Sequence, residues 1–228
     1  MGLSDQDLIA AAQELSGLGG AFVASPSPFV ANTQWGFWCD EAVEELYQLV
    51  IAAGGADLYM RTADFTLVGT TNYYTLGTGA LSNEAGSSPF RQLLGVTVNP
   101  TTPDRRSLRK FNFAERDLMW IETRYRLMGN RLYIEPAEQA PGNYRATYVA
   151  GPGHPYGDGG NDLDPPLLQW HEYIETWMAI QALIKEKSDT RALETRLDAL
   201  ASLVETSAGT DAGEPESITD WEDDGGLQ

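Results

Sequence analysis

The chain has 228 residues and a formal net charge of −18, because 33 acidic residues outnumber 15 Lys and Arg. That length and a hydrophobic content of 42% predict a globular protein of one domain or two small ones, while the acidic balance excludes a DNA-reading function, which needs Lys and Arg against the phosphates. A single cysteine, Cys39, excludes an internal disulfide and any multi-cysteine zinc site, and no apolar stretch approaches the roughly 18 residues of a membrane span.

Two helices are predicted within residues 1–56. Residues 4–7 (Ser-Asp-Gln-Asp) are typical of a capping box that begins a short helix, which ends at Gly17. A second helix begins near residues 32–33 and ends at the glycines in positions 54–55. Its apolar positions follow helical spacing and form one stripe: Trp35, Trp38, Ala42, Leu46, Leu49 and Ala53.

Residues 57–150 have the composition of strands, rich in Thr, Tyr, Phe and Val. The clearest element is a hairpin with the two-residue turn Gly129-Asn130, because the apolar residues of both strands then share one face. The predicted pairs are Tyr125 with Ile134, Leu127 with Leu132, Arg126 with Tyr133, and Arg124 with Glu135. Other strands are expected at 58–68, 71–76, 93–98 and 107–111, a short helix at 112–120, and a third strand after the hairpin at 143–149.

Two further helices are predicted within residues 151–205, after a loop rich in Gly and Pro. Asp164 as the N-cap and Pro165 at the first helical position begin the third helix, and a break near residues 188–189 precedes the fourth. The expected buried positions are Leu167, Trp170, Ile174, Trp177 and Ile184 on the third helix, and Leu193, Leu197, Leu200 and Val204 on the fourth.

Helical periodicity ends after Glu205, so residues 206–228 are expected to form an extended acidic tail. This segment has seven acidic residues and no basic one. It also contains Ile218 and Trp221, which a purely solvating tail does not need, and Trp is favoured as an anchor in binding interfaces. We therefore expect these two side chains to dock on a partner.

The acidic charge is interrupted in the middle of the chain. Residues 91–145 have a net charge of +4, whereas residues 1–60 have −8 and residues 146–228 have −13. Four of the basic residues lie close together: Arg105, Arg106, Arg109 and Lys110. We expect them to contact an acidic neighbour, with another copy of this chain as one candidate, since complementary charges set register and association rate. A nucleic-acid patch is the alternative interpretation.

No catalytic, cofactor-binding or metal-binding site is expected, so the sequence does not favour an enzyme. Cys39 lies on a helical stripe and is expected to be a buried core residue rather than a nucleophile. His154 shares a loop with Asp158 and Asp162, residue types that bind metals, but the loop lacks the spacing of a calcium hand. His171, at a helix start, is expected to be structural.

The order of these elements resembles the head-to-tail adaptor, or connector, proteins of tailed phages and related gene-transfer particles. The resemblance covers most of the chain and includes no catalytic motif. Its residues are the opening helix Asp5–Leu15, WCDEAVEELY (38–47), FNFAER (111–116), the hairpin segment GNRLYIEP (129–136), KEKSDT (185–190) and DAGEPE (211–216).

The resemblance implies an α+β fold in which two N-terminal and two C-terminal helices form a four-helix bundle, with a small antiparallel β-rich domain inserted and an extended C-terminal tail. It implies a structural virion protein of the neck, assembled in the host bacterial cytoplasm. Copies would form a ring, usually of twelve, between the portal protein and a tail or nozzle protein. Double-stranded DNA would pass through without specific binding. Pro215, Ile218 and Trp221 would belong to the segment that docks on the portal.

Two alternatives remain open. One is a different virion component, such as a tail-tube or tail-completion protein, and the neighbour that the acidic tail contacts would distinguish it. The other is a hydrolase or carbohydrate-binding module that uses Trp and Tyr side chains and the His154 loop. Alanine at His154, Asp158 and Asp162 would abolish activity in that case, whereas an adaptor would still assemble.

Overall fold

The computed structural model describes residues 3–17, 30–76, 90–111, 123–137, 140–153 and 162–211. Within these residues the chain forms four helices and two four-stranded sheets, an α+β fold. The helices are α1 (Asp5–Ser16), α2 (Asn32–Ala52), α3 (His171–Glu186) and α4 (Arg191–Asp211). The strands are β1 (Met60–Leu67), β2 (Tyr73–Thr75), β3 (Phe90–Val98), β4 (Arg106–Ser107), β5 (Arg109–Lys110), β6 (Arg124–Met128), β7 (Arg131–Glu135) and β8 (Gly142–Ala150).

The first helix begins and ends as its sequence predicts. The Ser4 hydroxyl accepts a hydrogen bond from the Asp7 amide at 3.3 Å, and the Asp7 carboxylate accepts one from the Ser4 amide at 3.0 Å, which confirms the capping box. The Ser4 hydroxyl donates a further hydrogen bond to the Asp7 carboxylate at 2.8 Å, and this bond together with that from the Ser4 amide holds the pKa of Asp7 below its usual value. Gly17 ends the helix at φ +69°, a left-handed conformation that a residue without a Cβ adopts most readily.

The segment after α2 differs from the expected strand. Residues Gly55–Tyr59 form a 3-10 helix, so β1 begins only at Met60. A Cβ at Gly55 would lie 2.7 Å from Val50 Cγ1, and the chain can make this tight turn because that position is glycine. The turn directs the Tyr59 side chain, which is 2% exposed, into the helical core. Sequence composition indicated a strand here, but core packing decides the conformation.

The strands form two sheets, in the orders β1-β8-β3-β4 and β2-β7-β6-β5. All pairs are antiparallel except β5 with β6, which is parallel. The hairpin of β6 and β7 has the predicted register, although the Glu135 carboxylate forms its 2.7 Å ion pair with Arg126, diagonally across the strands. The strand expected after the hairpin is present as β8, but it pairs with β1 and β3 in the other sheet. The helix expected at 112–120 lies outside the described residues.

The expectation of a four-helix bundle is wrong. The helix α1 has 12 residues against 21 in α2 and in α4, so four helices of matched length do not enclose the core. The core instead depends on residues from other elements: Tyr59 and Leu167 from the two 3-10 helices and Val149 from β8 are all buried within it. The fold is a cluster of unequal helices whose core is completed by the sheet and the 3-10 segments.

The start of the third helix also differs from the prediction. Residues Pro165–Trp170 form a 3-10 helix, and α3 begins at His171. The Asp164 carboxylate makes no cap and instead accepts a hydrogen bond from the Gly153 amide at 2.8 Å. Leu167, Trp170 and Ile174 are buried as expected, but Ile184 is 53% exposed in the last turn of α3.

The fourth helix is longer than its sequence indicates. It continues to Asp211, six residues past its expected end at Glu205. The extension is packed, since Ala208 is fully buried and the Ser207 hydroxyl accepts a hydrogen bond from Trp170 Nε1 at 3.0 Å. Val204 is buried on the same helix, as predicted. Residues 206–211 are therefore helical, despite their polar composition and a glycine, because one face of the helix packs on the core.

The insert and the helices meet at a buried junction. The Tyr47 hydroxyl donates a hydrogen bond to the carbonyl oxygen of Ala150, the last residue of β8, at 2.9 Å. The rings of Tyr47 and Tyr59 are edge to face with centroids 4.8 Å apart. Nearer the surface, Arg91 on β3 forms a 2.6 Å ion pair with Glu44 on α2. Apolar packing and one buried hydrogen bond thus join the two parts.

The two tyrosines of this junction should respond differently to loss of their hydroxyl groups. Tyr47→Phe leaves the buried Ala150 carbonyl without this donor, so we expect a loss of about 1–2 kcal/mol in the free energy of unfolding. The Tyr59 hydroxyl is buried with no hydrogen-bond partner in the described part of the chain, so Tyr59→Phe should be neutral or stabilising. Urea unfolding of both variants measures the difference, and an equal loss in both would contradict it.

Candidate interaction surface

The basic segment, residues 105–110, connects the edges of the two sheets. Its β4 part lies at the edge of the first sheet beside β3, and its β5 part lies at the edge of the second beside β6. Between them Leu108 is 8% exposed, and its amide donates to the Val96 carbonyl oxygen at 2.8 Å. The backbone of the segment is therefore held in place by both sheets rather than extending freely into solvent.

All four predicted contact residues are exposed on this segment: Arg105, Arg106, Arg109 and Lys110. In the described residues, none of the four forms an ion pair or a side-chain hydrogen bond. Other arginines of the sheets are paired, such as Arg145, whose Nε lies 2.6 Å from the Asp64 carboxylate. Within the described part of the chain, these four exposed cations have no ion-pair partner, which makes them candidates for contact with an external acidic surface.

A second basic feature, which we call the Arg–Tyr face, was not predicted from the sequence. It is one face of the second sheet, opposite the buried side chains of Tyr125, Leu132 and Ile134. Strand register and side-chain alternation place four arginines and two tyrosines on it: Arg109, Arg124, Arg126, Arg131, Tyr73 and Tyr133. Arg109 belongs both to this face and to the basic segment, so the two form one continuous surface.

Two arginines of this face lie over its aromatic rings. The guanidinium carbon of Arg131 lies 4.5 Å from the centroid of the Tyr73 ring, and that of Arg126 lies 5.3 Å from the centroid of Tyr133. The two tyrosine rings are themselves 5.5 Å apart. A hydrogen bond with Tyr133 raises the pKa of Arg131. The one carboxylate placed on the face by the register is Glu135, which pairs with Arg126.

The other candidate residues that the structure describes are Cys39, His171 and Asp162. Cys39 is fully buried, and this burial raises the pKa of its thiol to about 12, which does not favour a nucleophile. His171 Nδ1 lies 2.9 Å from the Leu168 carbonyl oxygen, which requires the proton on that nitrogen. Asp162 is exposed. His154 and Asp158 lie outside the described residues, as do the tail residues Pro215, Ile218 and Trp221.

A cleft of about 380 Å³ lies between α1, α3 and α4. Its ionisable lining residues are Glu14, His171, Glu172, Glu175 and Arg196. Glu172 and Arg196 form a 2.9 Å ion pair across it. The Glu175 carboxylate is 3.8 Å from His171 Nε2, and burial raises its pKa above the usual value. The cleft thus contains one carboxyl group whose pKa is higher in the folded state than in the unfolded state.

Glu175→Gln should stabilise the protein at neutral pH. The unfolded state releases this proton near the ordinary value of 4.5, whereas the folded state keeps it to higher pH. The contribution of Glu175 to the free energy of unfolding is therefore fully present below pH 4.5, and it is lost as the pH rises through the raised pKa of the folded state. We expect the variant to exceed wild type in unfolding free energy at about pH 7, with the gain shrinking towards about pH 4.

The matched control is Glu41→Gln, because Glu41 is exposed on α2. Urea unfolding of both variants across this pH range measures the effect. A gain for Glu175→Gln that is constant with pH, or one that the control reproduces, would contradict the assignment.

The burial of Cys39 predicts an unreactive thiol in the native protein. Disulfide exchange needs the thiolate and access, and both are suppressed at this position. We expect no reaction with a chromogenic aromatic disulfide at about pH 8, and one thiol per chain after denaturation in urea. Prompt stoichiometric reaction of the folded chain would show that α2 packs differently.

No family model matches the sequence, and no curated protein gives a significant match to it. Within the described ranges, no group of three or more His, Cys, Asp and Glu side chains is arranged to hold a metal ion. In the same ranges, no helix is both long and apolar enough to cross a membrane.

Proposed function

We propose that the chain is a structural virion protein, a head-to-tail adaptor whose copies form a ring between a portal protein and a tail or nozzle protein. The observation that supports this most is the basic segment, whose four exposed cations form no ion pair among the described residues of a chain with net charge −18. An acidic protein that presents a cluster of exposed cations is suited to binding an acidic protein surface.

The most direct acidic partner is another copy of the chain. Its helices expose carboxylates, among them Glu41 and Glu45 on α2 and Glu194 on α4. A contact between the basic segment of one copy and an acidic helical surface of the next is heterologous, and such contacts close into rings when the rotation permits. A ring with an acidic lining would also repel the DNA backbone and let DNA pass without specific binding.

The acidic C-terminal residues supply the portal contact in this proposal. Pro215, Ile218 and Trp221 are the residues proposed to dock, because an apolar and an aromatic side chain among carboxylates provide anchors within a soluble segment. The helical extension of α4 places the start of this segment after Asp211, so a truncation that tests it should leave residues 206–211 intact.

Charge reversal in the basic segment tests the proposal. In the double variant Arg105→Glu/Arg109→Glu, we expect self-association and incorporation into particle necks to fall at least tenfold, because two attractive contacts become repulsive. Sedimentation velocity measures self-association, and antibody labelling of purified particles in electron micrographs measures incorporation. The side chains are exposed, so the free energy of unfolding should be unchanged.

The control is Arg61→Glu, which reverses the charge of an exposed side chain on β1, at the opposite edge of the first sheet from β4. It should assemble like wild type. Normal assembly of the double variant, or labelling of the tail tube instead of the neck, would reject the adaptor in favour of another virion component.

A further inference from the structure

The Arg–Tyr face is basic on a chain of net charge −18, and the Phe111 ring lies against its centre, 5.6 Å from the guanidinium carbon of Arg126. Arg109 and Arg131 are exposed at its two sides, while Arg126 and Tyr133 are half-buried at its centre. The chain as a whole has more than twice as many acidic as basic residues, whereas the register of the described strands places four arginines and one carboxylate, Glu135, on this face. Such a concentration of one charge is the footprint of a partner with the opposite charge.

The stacking geometry specifies what kind of group this face binds. A guanidinium that lies over an aromatic ring keeps its N–H edge free, and that edge matches a carboxylate in a planar, bidentate arrangement. Arg131 lies over the Tyr73 ring and is exposed, so the N–H groups that its hydrogen bond with Tyr133 leaves free can face a carboxylate. The flat rings of Tyr73 and Tyr133 between the arginines suit a second aromatic side chain. The face therefore fits an acidic peptide that contains an aromatic residue.

We propose that residues 212–228 of this chain dock on its own Arg–Tyr face. This segment has six acidic residues, Glu214, Glu216, Asp220, Glu222, Asp223 and Asp224, and no basic one. Trp221 lies directly between two of these acids in the sequence, so carboxylates can reach arginines while the indole packs on tyrosine. The composition of the segment is thus the complement of the composition of the face.

The segment is long enough to reach the face. Its 17 residues follow Asp211, the end of α4, and they span up to roughly 55 Å when extended. A chain of 228 residues has a radius of gyration of about 17 Å when folded, so the extended segment is roughly three times as long as this radius and reaches far across the surface from the end of α4. Tethering also gives a local concentration in the millimolar range, which makes a weak individual affinity sufficient.

Docking in this way would cover the Arg–Tyr face and the anchors Ile218 and Trp221 until a stronger partner displaces the segment. The inference does not depend on the adaptor proposal, because it concerns two parts of one chain. An experiment on the isolated full-length chain therefore distinguishes failure of the docking from failure of the adaptor function.

Paramagnetic labelling of the full chain tests the docking. In Ser217→Cys the new thiol takes up a nitroxide label, while buried Cys39 does not. We expect the label to broaden the amide signals of Arg126 and Tyr133 more than those of β1, such as Thr62. The selective broadening should fall at least twofold in about 1 M NaCl, where charges are screened beyond about 3 Å.

Two variants and one mixture complete the test. Arg131→Gln, or Arg109→Gln if the first perturbs the sheet, should reduce the broadening at least twofold, and the matched control Arg61→Gln should not. Equal broadening over all strands, or no loss in either variant, would overturn the proposal. In a mixture, one set of chains carries the isotope label and a second set carries only the nitroxide. Broadening of the amide signals in the isotope-labelled chains would show that the segment docks on a second copy instead. Displacement of the segment by a single-stranded oligonucleotide would assign the face to nucleic acid.

Discussion

The two strands that connect the insert to the helices are hydrogen-bonded to each other, and the rest of the structure depends on that pairing. The chain leaves the helices through the 3-10 helix at Gly55–Tyr59 and enters β1, and it returns through β8, so that Met60 lies opposite Val149. The bidentate contact of Arg145 with Asp64, at 2.6 and 2.8 Å, spans the same pair of strands. Because the two connections meet at one place, the helices on either side of the insert can share a core.

That shared core explains why the helices do not need to match in length. Tyr59 arrives just before β1 and Val149 lies near the end of β8, and both are buried with residues of α2 and α3. The Tyr47 hydroxyl satisfies the last carbonyl of β8 from the helical side. The helical cluster and the first sheet therefore stabilise each other, whereas a self-contained bundle would have buried its residues among helices alone.

The sequence predicted those parts of the fold that local interactions determine. The capping box at Ser4 and the hairpin at Gly129 need only neighbouring residues, and both formed as expected. The position of β8, the 3-10 turn before β1 and the extension of α4 were not predictable in the same way. Each depends on a contact far away in sequence, such as Trp170 with Ser207. The same distinction holds for the interaction surface. The exposure of Arg105 could be predicted from its local sequence, whereas the Arg–Tyr face forms only when β2 pairs with β7.

The side-by-side connection of β1 and β8 also has a mechanical consequence. A domain joined by one linker can swivel about it, but two hydrogen-bonded strands resist separation and sliding, because either motion would have to break their ladder. The basic segment lies at the far edge of the same sheet, beyond β8 and β3. A force applied to Arg106 on β4 is therefore transmitted through β3 and β8 to α2, which contacts the end of β8 through Tyr47. A partner bound at the basic segment would thus be mechanically coupled to the helices.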